Sequence, residues 1–396
     1  MTNRHVKLRC AALLALATLV GAVAGMPAAP ASAAGRKFLL YDLNAGEGFN
    51  LRRDAMMRMA MLVRDLGPEW TLVLPPFHRM VHWKTDTGRE RLPWSTFFDL
   101  SHLGEVVRVM EYEDYAKAHG DRVDRVVHLT TGAAAGSAFR LEPRDCAALG
   151  TFTQKFKASS GGFTAPFFGG TATVETPRVD CEWILGPYPT LEPYLDGLSG
   201  SSVLVDGVTT MPWDARAGGP LYWKLRTRLP FAPSLTAEPE RFIRATFGGA
   251  PYLAFHLRRG DFIRTPRPHP TLDEVVAQVR QWSKATGISR VFLATDGSPE
   301  DVAYLKERIA FERYTPPAGD AYSDGVLAIF DQIIASRAAT FVGTSSSTFT
   351  NEIFEEREIL GKDPAATYNV LCTAGESTGQ PGTYRCPAPA RMALVR

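Results

Sequence analysis

Arg258 and Arg259 lie in the run AFHLRRGDF (254–262), directly after an apolar, β-prone stretch at 251–255. A strand that ends on His256, Leu257, Arg258, Arg259, Gly260 and Asp261 delivers two guanidiniums to its carboxyl end. Open α/β sheets bind their ligands there. A guanidinium cannot be buried unpaired, and its fork matches phosphate oxygens. The run predicts an anion site or, as the competing arrangement, an ion-pair network in which Asp261 and neighbouring acids hold the arginines.

Three further segments carry groups of the right kind. FVGTSSSTF (341–349) leads from a strand through five hydroxyl residues into a helix. The free N–H groups and positive end of such a helix attract anions; Ser346 or Ser347 could equally serve only as its cap, with Glu352 in the first turns. Asp331 lies within VLAIFDQII among Leu327, Ala328, Ile334 and Ala335 at helical spacing. Its carboxylate is therefore turned partly inward and needs donors, which the N–H groups of a guanine, the hydroxyls of a ribose, or a neighbouring Arg could supply. Glu47 stands between Gly46 and Gly48 in the loop after the first strand, where a carboxylate can act as general base; a solvated loop glutamate is the plain alternative. Arg52, Arg53 and Asp54 read as a salt-bridge set on a helix surface. No Asp-x-Asp, P-loop, GxSxG or HExxH occurs, so the expectation is a site without metal in which cationic side chains neutralise any leaving group.

These groups need a scaffold, and the hydrophobic pattern supplies one. Strands are predicted at 37–41, 71–74 and 106–110, with a helix at 51–66. The turn-rich stretch between Cys146 and Cys181 reads as a long stapled loop. The proline-rich 229–238 is the best linker. Beyond it come strands at 252–256, 291–295 and 340–343, alternating with helices at 272–282, 299–309, 325–337 and 348–358. Such alternation predicts a parallel, doubly wound α/β sheet.

The totals agree with a two-domain globular protein: 396 residues, 45% hydrophobic and 22% charged. Arg4, Lys7 and Arg9 precede an apolar run at 11–24 and the small-x-small triplet Ala31-Ser32-Ala33, the pattern of a cleaved signal peptide over residues 1–33 rather than a membrane span. Without those three basic groups, 41 of the 44 Lys and Arg face 42 acids. That balance argues against nucleic-acid or anionic-membrane partners. Cys146, Cys181, Cys372 and Cys386 then suggest two disulfides in an oxidising compartment. Pairing sequence neighbours joins Cys146 to Cys181 and Cys372 to Cys386, although three pairings are possible.

Taken together, LLYDLNAGEGFNLRRD (39–54), LVLPPF (72–77), His82-Trp83, PWSTFFDL (93–100), EYE (111–113), HLRRGDF, the IFDQ around Asp331, GTSSSTF and EEREILGKDPAATYN (355–369) resemble the GDP-fucose protein O-fucosyltransferases. The resemblance spans nearly the whole mature chain, with 134–159 matching poorly. It implies a GT-B-like fold of two doubly wound Rossmann-like domains with a cleft between them, over 34–232 (acceptor side) and 233–396 (GDP-fucose side). It further implies an inverting, metal-independent transfer without cofactor, in a monomer of the endoplasmic reticulum lumen. The acceptor would be a Ser or Thr hydroxyl of a folded thrombospondin type 1 repeat, with an EGF-like repeat or a glycan as alternatives. By position it makes Glu47 the base and Arg258 the β-phosphate clamp. Gly46, Gly48, Phe49 and Asn50 fall at the sugar–phosphate pocket, His256 and Asp331 near the nucleoside, and Ser347, Thr348 and Phe349 at the phosphate-binding helix start. The two neighbour pairings of cysteines also look like the family's. A non-catalytic luminal binder of nucleotide sugar or folded repeats is the rival function, but a binder has no use for a base.

Overall fold

The computed structural model describes residues 35–386, apart from 44–46, 79, 81, 84–90, 132–138, 186–190, 209–217, 267, 321 and 380–383. The signal-like segment and Gly46 lie outside the described residues. The strands are β1 (Lys37–Asp42), β2 (Trp70–Leu74), β3 (Val109–Glu111), β4 (Arg125–Thr131), β5 (Arg140–Arg144), β6 (Lys157–Ser159), β7 (Gly162–Phe167), β8 (Ala172–Thr176), β9 (Val179–Leu185), β10 (Ser202–Asp206), β11 (Leu253–Leu257), β12 (Val291–Thr295), β13 (Thr340–Thr344) and β14 (Val370–Leu371).

β1 is buried from Phe38 to Asp42. Its sequence shows no polar alternation because helices cover both faces of a parallel sheet. Seven strands take the order β3-β2-β1-β10-β4-β9-β5, all pairs parallel except β5 against β9. Helix Phe49–Leu66 joins β1 to β2 and buries thirteen of its eighteen residues. A second sheet, β12-β11-β13-β14, is entirely parallel. Helix Leu272–Thr286, opened by a capping box between Thr271 and Glu274, links β11 to β12. Among the described residues no helix is long and apolar enough to cross a membrane.

The region between Cys146 and Cys181 corrects the sequence reading. In place of a long loop it holds helix Gly150–Lys155 and the antiparallel sheet β6-β7-β8. Its glycines are tight turns between very short strands: Gly162, Gly169 and Gly170 have φ of 119°, 63° and 82°. Ala165, Phe167 and Val174 then face inward onto the first sheet's second core cluster. Both neighbour pairings of cysteines are present, Cys146–Cys181 and Cys372–Cys386.

The 229–238 connection is pinned rather than free. Leu229 is fully buried, Phe231 bridges Phe98, and helix Ala237–Phe247 begins before the segment ends. Arg52 and Arg53 are likewise not a surface set: they are 2% and 1% exposed, and of the three residues Asp54 pairs with a charged neighbour on the same helix, Arg58. Arg53 pairs with Glu352 of helix Thr348–Ile359, and the helix that carries it shares its core with Ile329, Phe330 and Ile333 of helix Asp324–Arg337. The two parallel-sheet regions are thus welded through helices.

Candidate functional site

The carboxyl ends of β1 and β11 bring Gly48 and Arg258 to one imidazole, and β11 brings His256 to Phe349, whereas Asp331 shares no contact with any of them among the described residues. Glu47 and Gly48 lie between β1 and the first turn of helix Phe49–Leu66, where the Glu47 carbonyl accepts from Arg52 Nε at 3.0 Å. Across from them stands Arg258. A Cβ built on Gly48 would lie 3.4 Å from Cδ2 of His82, while Arg258 Nη2 lies 3.3 Å from His82 Nδ1 and 3.4 Å from Nε2. The imidazole of His82 thus lies beside Gly48 and against the arginine of the second sheet.

Both arginines are paired. Arg258 contacts Asp261 at 2.6 Å and Asp296 at 2.8 Å; Arg259 contacts Asp301 at 3.1 Å. The ion-pair network expected as the competing arrangement is present. It is a shallow network, with Asp261 55% and Asp296 34% exposed, so water reaches its carboxylates.

Threonines staple the second sheet. Thr344 Oγ1 accepts from the Arg258 N–H at 2.9 Å and donates to the His256 carbonyl at 2.8 Å. Thr350 Oγ1 accepts from the Thr344 N–H at 2.9 Å and lies 2.8 Å from His256 Nδ1. Burial, reinforced by the Arg258 charge, pulls the His256 ring down to about 3. The ring is therefore neutral, and Nδ1 and the Thr350 hydroxyl share one hydrogen bond. Gly343 permits this staple: a Cβ there would stand 2.2 Å from Thr350 Cγ2. Phe349 stacks on His256 with ring centroids 4.4 Å apart.

Ser347 caps the following helix by position but makes no side-chain cap bond, and Ser346 adopts φ 61°, rare for a residue with a Cβ. Thr348 is exposed at the helix start and Ser347 is buried. Asp331 has no hydrogen-bond or ion-pair partner among the described residues; burial raises its carboxyl to about 7 against the opposing charge of Arg313. Asn50 is buried, its Oδ1 accepting from Gln332 Nε2 at 2.9 Å. The Phe49 ring is core, stacked on Trp83 at 4.8 Å and Phe98 at 5.5 Å.

A buried polar cluster escaped the sequence reading. Lys155 Nζ lies 3.3 Å from Asp42 and 2.7 Å from Asp206, and His128 Nδ1 lies 2.7 Å from Asp206. Burial lifts the Asp42 carboxyl to about 6, with Lys155 opposing and Asp206 adding. An Asp at the end of a buried strand was the available signal. Among the described residues no group of three His, Cys, Asp or Glu could hold a metal.

A sequence model described as GDP-fucose protein O-fucosyltransferase matches residues 38–360. The chain is 34% identical to GDP-fucose protein O-fucosyltransferase 2 of Homo sapiens over 89% of this chain and 90% of that one. For the Caenorhabditis elegans protein of the same name the values are 32%, 92% and 91%. The solved structure of POFUT1 in complex with GDP-fucose superposes with a TM-score of 0.56 at 16% identity, covering 85% of this chain and 97% of that one. At that identity the likeness speaks for the fold, and the GT-B-like expectation holds.

Proposed function

Because the chain belongs to the GDP-fucose protein O-fucosyltransferase family and is a glycosyltransferase that uses GDP-fucose, we propose that it transfers fucose, with inversion and without a metal, to a Ser or Thr hydroxyl of a folded thrombospondin type 1 repeat. The acceptor oxygen attacks the anomeric carbon of the donor while its proton passes to the Glu47 carboxylate. The bond from that carbon to the β-phosphate oxygen breaks, and GDP leaves with its new charge against Arg258. The observation that supports this reading is that Gly48, next to Glu47, and Arg258 both approach the ring of His82, which is compatible with a base and a leaving-group clamp serving one donor.

The remaining roles follow the positions described. Asp331, unpartnered among the described residues, suits the N–H donors of guanine or the hydroxyls of ribose, and His256, stacked on Phe349, is the second nucleoside-side candidate. Ser347, Thr348 and the N–H groups of Phe349 and its neighbours suit the phosphates. Gly48 and Asn50 border the sugar, with Gly46 and the backbone of Phe49 completing that loop. Names of relatives support the acceptor class, and two disulfides support an oxidising, secretory compartment, here read as the endoplasmic reticulum lumen.

The test is incubation with GDP-fucose and a panel of folded and reduced thrombospondin type 1 and EGF-like repeats, read by intact mass. A gain of one deoxyhexose only on the folded thrombospondin repeat, unchanged by EDTA, is expected. Modification of the EGF-like repeat alone would reassign the acceptor, and loss with EDTA restored by added metal would reject the metal-independent mechanism. Glu47→Ala is expected to lower turnover by ~10²–10⁴-fold, the usual contribution of a general base, with GDP affinity kept. Equal loss of GDP affinity would make Glu47 a ligand-holding residue instead.

A further inference from the structure

We propose that His82 is a positioning residue for the transfer, holding the Arg258 fork in place from the Glu47 side of the cleft; this rests on the reading of Arg258 as the leaving-group clamp. Three observations carry it. First, the turn that presents His82 is anchored: the Trp83 N–H donates to the Met80 carbonyl at 3.0 Å, and the Trp83 ring stacks on Phe49 at 4.8 Å and meets Phe97 edge-on at 5.4 Å. Phe49 is the first residue of the helix that follows Glu47 and Gly48, so the turn and the Glu47 loop share one foundation.

Second, the contact with Arg258 has a definite form. Nη2 is almost equidistant from the two ring nitrogens, at 3.3 and 3.4 Å. A nitrogen so placed in the ring plane would overlap Cε1, so the guanidinium edge lies over the imidazole face. A cation over a π face is attracted to it when the ring is uncharged. Partial desolvation and the Arg258 charge both hold the His82 ring below its ordinary range, against the nearby Asp261 and Asp296, which disfavours the charged ring.

Third, Arg258 has competing holders. Asp296 takes Nη1 at 2.8 Å and Asp261 takes Nη2 at 2.6 Å, both on the second-sheet side. His82 is the contact from the first-sheet side. Without it the two aspartates and the Phe262 ring, 5.7 Å from the guanidinium carbon, set the fork from the second-sheet side alone. Reaction geometry is sensitive to such shifts, since misplacement by 1 Å can cost on the order of 10²-fold.

The experiment is a double-mutant cycle on GDP-fucose turnover with a folded thrombospondin type 1 repeat as acceptor, melting temperature being followed throughout. His82 is exposed, so His82→Ala should melt with the wild type. We expect its kcat to fall 10- to 100-fold while KM for GDP-fucose moves less than threefold, and His82→Phe, which keeps the ring face, to recover most of the loss. In an Arg258→Lys background the His82→Ala change should cost less than threefold, because two residues acting through one contact are not additive. Turnover of His82→Ala within twofold of wild type, or an undiminished loss in the Lys background, would overturn the proposal. Failure of the underlying reading shows itself separately, as a wild-type protein that moves no fucose at all.

Discussion

Two arginine clusters in the chain use the same pairing chemistry to opposite ends. Arg53 and Arg226 are each 1% exposed and meet Glu352, Glu355 and Glu356 of helix Thr348–Ile359; Arg226 reaches Glu355 at 2.8 Å and Glu356 at 2.7 Å. The Arg53 guanidinium also sits over Phe98 and Phe231, at 5.6 and 5.5 Å. Arg258 and Arg259 keep 17% and 15% exposure, and their aspartates up to 55%. In the first cluster no water can replace a lost partner, so the pairing fixes structure. In the second, water and anions can compete, so the pairing can be exchanged. Burial, rather than residue type, separates a weld from a binding site.

The largest effect expected from this contrast is on stability. Glu352→Ala leaves the buried Arg53 charge uncompensated and should cost about 3–5 kcal/mol, measured by denaturant unfolding. A loss below ~1 kcal/mol, the range of exposed pairs, would erase the distinction between the clusters. Arg258→Lys should do the reverse: an unchanged melting temperature, but turnover lower by ~10²–10³-fold, as for one transition-state donor, because Lys keeps charge without the fork. Wild-type turnover in that variant would remove Arg258 from the mechanism.

A smaller, pH-borne effect falls on Asp331. Its carboxyl is raised from 3.8 to about 7, so the folded state binds its proton more tightly than the unfolded chain does. The stability this group contributes is therefore full below about 4 and is lost as pH rises through about 7. Donors on a bound nucleoside need the ionised form, so GDP affinity should weaken as pH falls below 7, approaching about tenfold per unit. Calorimetric titrations between pH 5.5 and 8 should show this, and Asp331→Asn should flatten the curve; an unchanged slope in that variant would assign the pH dependence to another group.

Much of the second sheet was legible from the sequence. β12 was predicted at its observed bounds, and β11 and β13 within a residue, because long apolar runs followed by helical periodicity leave little ambiguity. The strand ends that carry Arg258, Thr344 and Glu47 were legible for the same reason. What failed was weaker in pattern or more distant. β4, β9 and β10 were not predicted, although β4 and β9 have seven residues each; β6 has three residues, and β8, ATVET, alternates small and polar types too weakly to exceed the turn signals around it. Arg53 read as surface because its partner lies 299 residues away, and no local window contains it. His82 entered only as part of the His82-Trp83 match, with no role attached, since what it touches is set by a turn docked on Phe49.

That separation of 299 residues between Arg53 and Glu352 also has a meaning in time. At about 5–20 residues per second of synthesis, Arg53 exists for some 15 to 60 s before its carboxylate is made. Arg226 waits for the same helix. During that interval the nascent first sheet cannot close over two naked guanidiniums, and its aromatic pocket at Phe98 and Phe231 stays hydrated. The last third of the chain therefore completes the first, and the order of emergence makes helix Thr348–Ile359 the closing step of folding.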